Sequence, residues 1–242
     1  MTAPALAEDQ ILTALSQGTY DIAGQFVYGS NYTFLVEVAW QEHRLEAVYK
    51  PSQGERPLWD FPEGTLAHRE TAAYEVCQAM GWSYVPPTIL RPDGPAGPGS
   101  LQLYVNLDPE RHYFSMTEPE KKRLKSVALF DALINNADRK GGHVLLGPED
   151  RIWLIDHGLC FHQEYKLRTV IWDFAGQPIP ASLLEKTEAL LDKLEAGELV
   201  ERLSEMLSTP ELEALADRAR QILEEATFPT PGERRHYPWP LV

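Results

Sequence analysis

Two short polar turns carry the residue types that phosphoryl transfer requires. An Asp-Arg-Lys turn at 138–140 and an Ile-Asp-His-Gly turn at 155–158 place Asp138 and Asp156 eighteen residues apart. Transfer from ATP needs one carboxylate that orients or deprotonates the attacking hydroxyl and another that holds a divalent metal ion against the phosphates. We assign the first role to Asp138 and the second to Asp156. ATP and Mg²⁺ or Mn²⁺ are therefore the expected cofactors.

The segment between these turns predicts a short hairpin. Residues 144–146 and 152–155 are apolar, and the Gly-Pro-Glu-Asp sequence at 147–150 is typical of a chain reversal. A hairpin returns the second turn to the neighbourhood of the first. The two carboxylates are then expected to face one cleft.

The sequence before residue 108 predicts a small antiparallel sheet and one helix. The predicted strands are 21–27, 32–40, 44–50, 88–90 and 101–105, and the Pro/Gly-rich segment 91–99 predicts a turn between the last two. A helix is predicted over 66–80, with Thr65 as N-cap and Gly81 as its stop. After residue 181, leucine spacing predicts two or three amphipathic helices with breaks near Gly197 and Thr209. Together these elements indicate an α+β fold.

Lys50 and Glu70 supply the other half of a nucleotide site. Lys50 ends the third predicted strand, where a lysine reaches the α- and β-phosphates, and Glu70 lies on the next helix, where an ion pair would hold the lysine in place. Either residue alone is more simply interpreted as a surface charge. Their order before the two Asp turns favours the nucleotide role. The segment with Ser30 and Asn31 could place backbone N–H groups over phosphates, but it has one glycine and is equally consistent with a hairpin turn.

Composition excludes several function classes. The chain has 242 residues, 43% of them hydrophobic, a net charge of -14 and no apolar stretch of membrane-spanning length. A strongly negative chain repels phosphate backbones and anionic lipid surfaces, so neither nucleic acid nor a membrane is an expected partner. The first residues lack a basic start and a long apolar run, which favours a cytoplasmic location. Cys77 and Cys160 are expected to be buried thiols.

Four sequence blocks carry a family resemblance: VYKP, GERPLWDFP, NNADRKGGH and DHG, beginning at residues 48, 54, 135 and 156. Over residues 20–175 the chain resembles atypical kinases related to phosphatidylinositol 3- and 4-kinases and to HipA-type kinases, and in particular a bacterial branch with these blocks. The resemblance implies a two-lobed protein-kinase-like fold, with an N-lobe at 1–107 and a mainly helical C-lobe at 108–242. It supports the roles given to Lys50, Glu70, Asp138 and Asp156. It also implies that adenine lies near Gln102, Tyr104 and Val105.

One position departs from the family pattern. The catalytic Asp of the family is followed five residues later by a metal-binding Asn, and this chain has His143 there. A neutral imidazole suits Mn²⁺ better than Mg²⁺, which prefers oxygen ligands. His143 is thus either a metal ligand or a histidine hydrogen-bonded within its loop. Lys140 either contacts the γ-phosphate or is a solvated loop lysine, and Arg139 is expected to pair with a nearby carboxylate or carbonyl.

Two features outside these motifs have open interpretations. Lys166 and Arg168 follow the second turn, where an acceptor would approach, and either recognise an anionic group or pair with the acidic helices. The apolar tail at 237–241 is expected to pack on the body of the protein or on a partner.

The residues favour an ATP- and divalent-metal-dependent kinase that transfers the γ-phosphoryl group to a hydroxyl of a protein or small molecule. The incomplete glycine loop and the missing Asn leave open a pseudokinase or other nucleotide-binding module. A metal-dependent phosphohydrolase is a further alternative, because several residues could form one metal cluster: Asp138, His143, Asp156, His157 and His162. Transfer of AMP from ATP bound in the reverse direction is also left open.

Overall fold

A computed structural model describes residues 6–26, 32–232 and 235–242. The segment with Ser30 and Asn31, predicted to cover phosphates, lies outside these residues. The architecture is α+β, with an antiparallel sheet in the first half of the chain and mainly helices in the second. No helix within the described residues has the length and apolar character needed to cross a membrane.

Five antiparallel strands form the sheet in the order β1-β2-β3-β5-β4. Their bounds are Thr19–Gln25, Phe34–Trp40, His43–Pro51, Thr88–Gly94 and Gly97–Leu103. The predicted strands are confirmed. The prediction that the Pro/Gly-rich segment is only a turn is wrong, because most of it belongs to the two strands. Gly94 pairs with Gly97, so β4 and β5 run through most of that segment and reverse only at residues 95–96. Gly97 has a φ of 93°, a conformation that glycine adopts without the strain of a Cβ.

A helix that the sequence did not predict, α1 (Glu8–Gln17), covers one face of this sheet. Its Leu15 is fully buried in a small core with residues of β2, β3 and β5: Val36, Val38, Ala47, Tyr49 and Leu101. Arg91 of β4 donates from Nη1 to the carbonyls of Leu15 (2.7 Å) and Gly18 (3.0 Å), which satisfies the end of the helix.

Helix α2 (Leu66–Ala79) is buried along most of its length and carries Glu70. Thr65 is the N-cap residue, as predicted, but its side chain makes no capping hydrogen bond, because its hydroxyl donates to the carbonyl of Pro62 at 2.8 Å. The N–H of Ala67 instead donates to Glu55 Oε1 at 3.1 Å. At the other end Gly81 has a φ of 67° and ends the helix, as predicted.

Helix α1 also contacts α2 through its first residue. Glu8 Oε1 accepts hydrogen bonds from Tyr74 Oη and Gln78 Nε2, both at 2.7 Å. Tyr74 and Gln78 lie one and two helical turns after Glu70. The carboxylate of Glu8 thus fixes the face of α2 that follows the predicted lysine partner.

The second half of the chain contains the predicted hairpin and helices. Strands β6 (Val144–Leu146) and β7 (Ile152–Leu154) are antiparallel, as expected. The helices are α3 (Glu118–Lys121), α4 (Lys125–Leu133), α5 (Ala181–Ala196), α6 (Glu198–Leu203) and α7 (Thr209–Glu225). The breaks near Gly197 and Thr209 are confirmed. Cys77 and Cys160 are buried free thiols.

Replacement of Leu15 tests whether α1 is an integral part of the fold. Leu15 has no exposed surface, so Leu15→Ala should lower the free energy of unfolding by ~2–5 kcal/mol through the cavity that it leaves. Ile22→Ala is the control, because Ile22 on β1 is 47% exposed and should lose less than ~1 kcal/mol. Urea denaturation measures both. Equal losses would mean that α1 does not cover the core.

Candidate active site

Lys50 lies between two carboxylates at the end of β3. Its Nζ is 2.5 Å from Glu70 Oε1 and 3.1 Å from Asp156 Oδ1. Burial opposes the charge on Lys50, but Asp156 and Glu70 outweigh that effect and raise the pKa of the amine. The charge of Lys50 in turn lowers the pKa of Asp156 far below its usual range. The predicted lysine, its helix partner and the predicted metal carboxylate therefore meet at one point.

Asp156 also faces His143 across the end of the hairpin. Asp156 Oδ2 is 3.3 Å from His143 Nε2, and the N–H of Lys140 donates to His143 Nδ1 at 3.5 Å. Burial lowers the pKa of His143 to about 4, so the imidazole is neutral at pH 7. Because Nδ1 accepts a hydrogen bond, Nε2 carries the proton and points at Asp156. The loop hydrogen bond and the approach to Asp156 are both present.

Asp138 lies on the neighbouring loop and is paired with Lys140. Its Oδ2 is 3.0 Å from Lys140 Nζ, and its N–H donates to Asn136 Oδ1 at 3.0 Å. Burial raises the pKa of the Asp138 carboxyl, while the charges of Lys140 and Arg235 oppose that rise. The Asp138 side chain is 25% exposed, so an acceptor hydroxyl can approach it. Each predicted carboxylate therefore has its own lysine.

Arg139 has the architectural contacts that its place between Asp138 and Lys140 led us to expect. It forms a fully buried ion pair with Asp131 of α4, with Nε 3.0 Å from both carboxylate oxygens and Nη2 2.9 Å from Oδ1. Its Nη1 donates to the carbonyl of Ile155 at 2.9 Å. Arg139 thus joins the Asp138 loop, α4 and the end of the hairpin.

His157 extends this buried network to Glu70. Its Nε2 is 2.9 Å from Arg139 Nη2, and a guanidinium can only donate, so Nε2 accepts and Nδ1 carries the proton. Among the described residues, that Nδ1 has no hydrogen-bond partner, and it faces Glu70 Oε2 at 3.9 Å. The backbone N–H of His157 donates to the same oxygen at 3.0 Å. Burial lowers the pKa of His157 well below its usual value, so the ring is neutral.

Sequence reasoning missed this role and considered His157 only as a metal ligand. The available signal was a polar imidazole directly after the metal-binding carboxylate, within an otherwise apolar stretch. His162, the other histidine of the predicted cluster, packs edge-on against Phe61 and accepts from the N–H of Glu164. In the described part of the chain no three metal-binding side chains converge. The five-residue cluster expected for a phosphohydrolase is therefore wrong.

The residues predicted near adenine are partly engaged within the protein. Gln102 Nε2 donates to Thr88 Oγ1 at 2.8 Å, and the N–H of Tyr104 donates to the carbonyl of Glu46 at 2.9 Å. Among the described residues, nothing accepts a hydrogen bond from the N–H of Val105. Of the three predicted residues, Val105 has the backbone donor that a base could use.

Lys166 and Arg168, which follow the second turn, differ in their contacts. Lys166 Nζ forms an ion pair with Asp60 at 3.1 Å. One alternative had proposed that it pairs with the acidic helices, and it does not. Arg168 forms neither an ion pair nor a side-chain hydrogen bond within the described residues.

The backbone of the apolar tail docks on the body, where the N–H of Gly141 donates to the carbonyl of Leu241 at 2.7 Å. Pro238 is buried, but the side chains of Tyr237, Trp239 and Leu241 are exposed, so the expected packing is observed only in part.

Residues that are far apart in the sequence lie close together at this site and could hold a metal ion and a nucleotide. Asp156 offers a carboxylate beside the imidazole of His143. His143 could bind a metal ion through Nε2 only after the proton on Nε2 moved to Nδ1, which would end the hydrogen bond from the N–H of Lys140. Divalent ions in such sites take further ligands from the phosphates themselves. The arrangement thus fits a metal ion bound together with ATP. The arrangement brings together a lysine held by two carboxylates, an imidazole beside one of them and a separate carboxylate on the neighbouring loop.

Comparison with known proteins places this site in context. No family model matches the chain. A rice phosphatidylinositol 4-kinase gamma 4 is 33% identical over 128 residues, which is 46% of this chain and 22% of that protein. The crystal structure of CtkA, a proinflammatory kinase of Helicobacter pylori, covers 88% of this chain and 94% of its own with a TM-score of 0.55 and 10% identity.

These comparisons show a kinase-like fold and a kinase-like relationship. The likeness to CtkA is one of fold alone. The relation to HipA-type kinases stays a prediction. Protein Rv2133c of Mycobacterium tuberculosis is 41% identical over 261 aligned residues, which cover 93% of each protein. The chain therefore belongs to the family of Protein Rv2133c and has a two-lobed, kinase-like α+β fold.

Proposed function

We propose that this protein is an ATP- and divalent-metal-dependent phosphotransferase that transfers the γ-phosphoryl group to a hydroxyl. The observation that carries the proposal is the position of Lys50 Nζ within hydrogen-bond distance of both Glu70 and Asp156. A surface lysine needs no such arrangement, whereas a phosphate-binding lysine needs both a helix partner and a nearby metal carboxylate. The proposed lobes are residues 1–107 and 108–242, with the site between them.

Nucleotide binding in this site exchanges ion-pair partners. Glu70 is almost fully buried and keeps Lys50 at the end of β3. Asp156 and His143 are the residues that would hold the metal ion, which supplies positive charge to the phosphates. If Asp156 held a metal ion, Lys50 would lose that ion-pair partner and its Nζ would be available to the α- and β-phosphates. The Lys50–Glu70 pair remains in place during this exchange.

Transfer itself depends on the neighbouring loop. Asp138 orients the acceptor hydroxyl and takes its proton as the bond from the acceptor oxygen to the γ-phosphorus forms and the bond from that phosphorus to the β–γ bridging oxygen breaks, with ADP as the leaving group. Lys140, now paired with Asp138 at 3.0 Å, can then contact the γ-phosphate and offset its charge. The raised pKa of Asp138 suits a group that must accept a proton during reaction.

A nucleotide-binding module without turnover is the second candidate. The observation that favours it is the hydrogen-bonded His143 at the position of the expected metal-binding Asn. Binding of nucleotide without consumption of ATP would select this candidate. AMP transfer is distinguished by whether the α- or the γ-labelled phosphate reaches an acceptor.

Substitution of the two site carboxylates should have different effects. Asp156→Ala should abolish metal-dependent nucleotide binding, because it removes a metal ligand. Asp138→Ala should leave ATP affinity unchanged and lower turnover by about 10²–10⁴-fold, because its contribution arises in the transition state. Fluorescent nucleotide titration and ATP consumption measure these effects. Asp217→Ala, on the exposed side of α7, is the control, and equal loss of ATP affinity in both site variants would contradict the assignment.

The metal preference should depend on His143. With an imidazole ligand, Mn²⁺ should support nucleotide binding better than Mg²⁺, and His143→Asn should restore the use of Mg²⁺. Because burial lowers the pKa of His143 to about 4, the ring stays neutral on acidification from about pH 7 to about pH 5. An acid limb near ~6.5, the value of an unperturbed histidine, is therefore not expected. Nucleotide titration with each metal across this range measures both effects. A wild type that prefers Mg²⁺, with a variant that behaves identically, would make His143 a structural loop residue.

Replacement of His157 tests the buried network. His157→Phe keeps a ring but leaves Arg139 Nη2 without its acceptor, so unfolding should become easier by ~1–3 kcal/mol and ATP should bind more weakly. His157→Gln offers both an acceptor and a donor and should recover much of both losses. His162→Phe is the matched control at a half-buried histidine outside the network. If His157→Phe and His157→Gln behave alike, the ring nitrogens do not hold Glu70.

A further inference from the structure

The segment 235–242 lies against the loop that carries Asp138. The carbonyl of His236 accepts from the N–H of Thr169 and from Trp172 Nε1, both at 3.1 Å. The carbonyl of Leu241 accepts from the N–H of Gly141 at 2.7 Å. Pro238, between these contacts, is buried. The segment therefore forms one wall beside the loop rather than a loose tail.

This docking is close enough to constrain the loop. A Cβ on Gly141 would lie 2.5 Å from the Phe114 ring and 3.4 Å from the carbonyl oxygen of Leu241. Only glycine fits between these two neighbours without displacing an aromatic ring. Phe114 thus imposes glycine at this position, and the carbonyl of Leu241 lies in contact on the segment side.

Two arginines lie where the segment meets the residues after the second turn. Arg168 and Arg235 each directly precede a member of the Thr169–His236 hydrogen bond. The backbone of Arg168 is bound on both sides to the Asp138 loop, since its N–H donates to Asn136 at 2.8 Å and its carbonyl accepts from Arg139 at 3.0 Å. Both arginines are therefore held next to the candidate catalytic carboxylate.

Neither arginine is neutralised in the described part of the chain. Arg168 has no side-chain partner there, and the exposed Arg235 donates from Nε only to the carbonyl of Tyr237, at 3.1 Å. Most other arginines do form ion pairs in this protein of net charge -14: Arg44, Arg69, Arg91, Arg111, Arg139, Arg202 and Arg220. The positive charge of Arg235 also acts on Asp138. Burial raises the pKa of the Asp138 carboxyl, and the charge of Arg235 opposes that rise.

In the proposed mechanism the phosphates of the nucleotide are bound by lysines, so nucleotide binding needs neither arginine. Lys50 contacts Asp156 and Glu70, and Lys140 contacts Asp138, so the two lysines already stand at the phosphate positions. An acceptor hydroxyl beside Asp138 would lie near these two arginines, because the charge of Arg235 acts on Asp138 and the backbone of Arg168 is bonded to the Asp138 loop. A guanidinium there favours a planar or tetrahedral anion, to which it donates two parallel hydrogen bonds.

We propose that Arg235, together with Arg168, binds a carboxylate or phosphate group of the acceptor next to the hydroxyl that receives the phosphoryl group. This inference rests on the proposed phosphotransferase function and specifies its acceptor as an anionic alcohol. Two sources offer that chemistry: a small phosphorylated or carboxylated alcohol, and a serine flanked by acidic residues in a peptide.

Binding of matched probes to the nucleotide-bound protein tests the proposal. With ADP and Mn²⁺ present, calorimetry compares glycerol 3-phosphate with glycerol, and a nonapeptide with aspartates around one serine with its alanine counterpart. In at least one pair the anionic probe should bind about tenfold more tightly, as a charge-assisted hydrogen bond implies. Arg235→Gln should remove that preference, and Arg235→Lys should retain part of it. The pair that shows the preference identifies the source of the acceptor.

Two controls separate this inference from the proposed function. Arg44→Gln alters an exposed arginine on β3 and should leave every affinity unchanged. Affinity for ADP, measured in the same titrations, should be the same in wild type and in Arg235→Gln. Equal binding of anionic and neutral probes, absence of binding by both pairs, or an unchanged preference in Arg235→Gln would overturn the acceptor assignment. Failure of the wild type to bind ADP with metal would instead overturn the phosphotransferase proposal.

Discussion

The ion pair between Arg139 and Asp131 is the constraint on which the site depends. Both side chains are fully buried, and such charges are tolerated only when their remaining hydrogen-bonding groups are satisfied as well. The donors of Arg139 meet this condition by reaching Asp131, Ile155 and His157. The hydrogen bonds that stabilise the buried charge also hold the Asp138 loop and the hairpin. Through His157 they connect to Glu70. The same set of contacts therefore stabilises the buried arginine and positions the residues of the candidate site.

Without nucleotide, the site is internally neutralised. Asp138 is paired with Lys140, and Asp156 is paired with Lys50. In the proposed function, phosphates and metal would each replace one partner of these pairs. The low exposure of Glu70 makes it the fixed member of the arrangement. Such a site is preorganised on the side of the lysine and adjustable on the side of the metal.

Much of the fold was predictable because it depends on local pattern. Strands 34–40 and 43–51, the hairpin and the breaks at Gly197 and Thr209 follow from apolar periodicity and turn residues. The approach of Lys50 to Glu70 followed from their order along the chain. The role of His157 and the docking of Leu241 on Gly141 depend on residues distant in sequence, which periodicity does not report. Helix α1 is short, and tertiary contacts with the sheet determine it.

The contact of Glu8 with α2 has a practical consequence for work with shortened chains. Glu8 anchors Tyr74 and Gln78 on the helix that carries Glu70, and Arg91 closes the other end of the same short helix. Trimming the chain back to the first strand would therefore remove contacts that hold the Glu70 helix, together with part of the sheet core. A fragment chosen to begin at the kinase-like sheet would carry every motif residue and still lack the support that sets the position of Glu70.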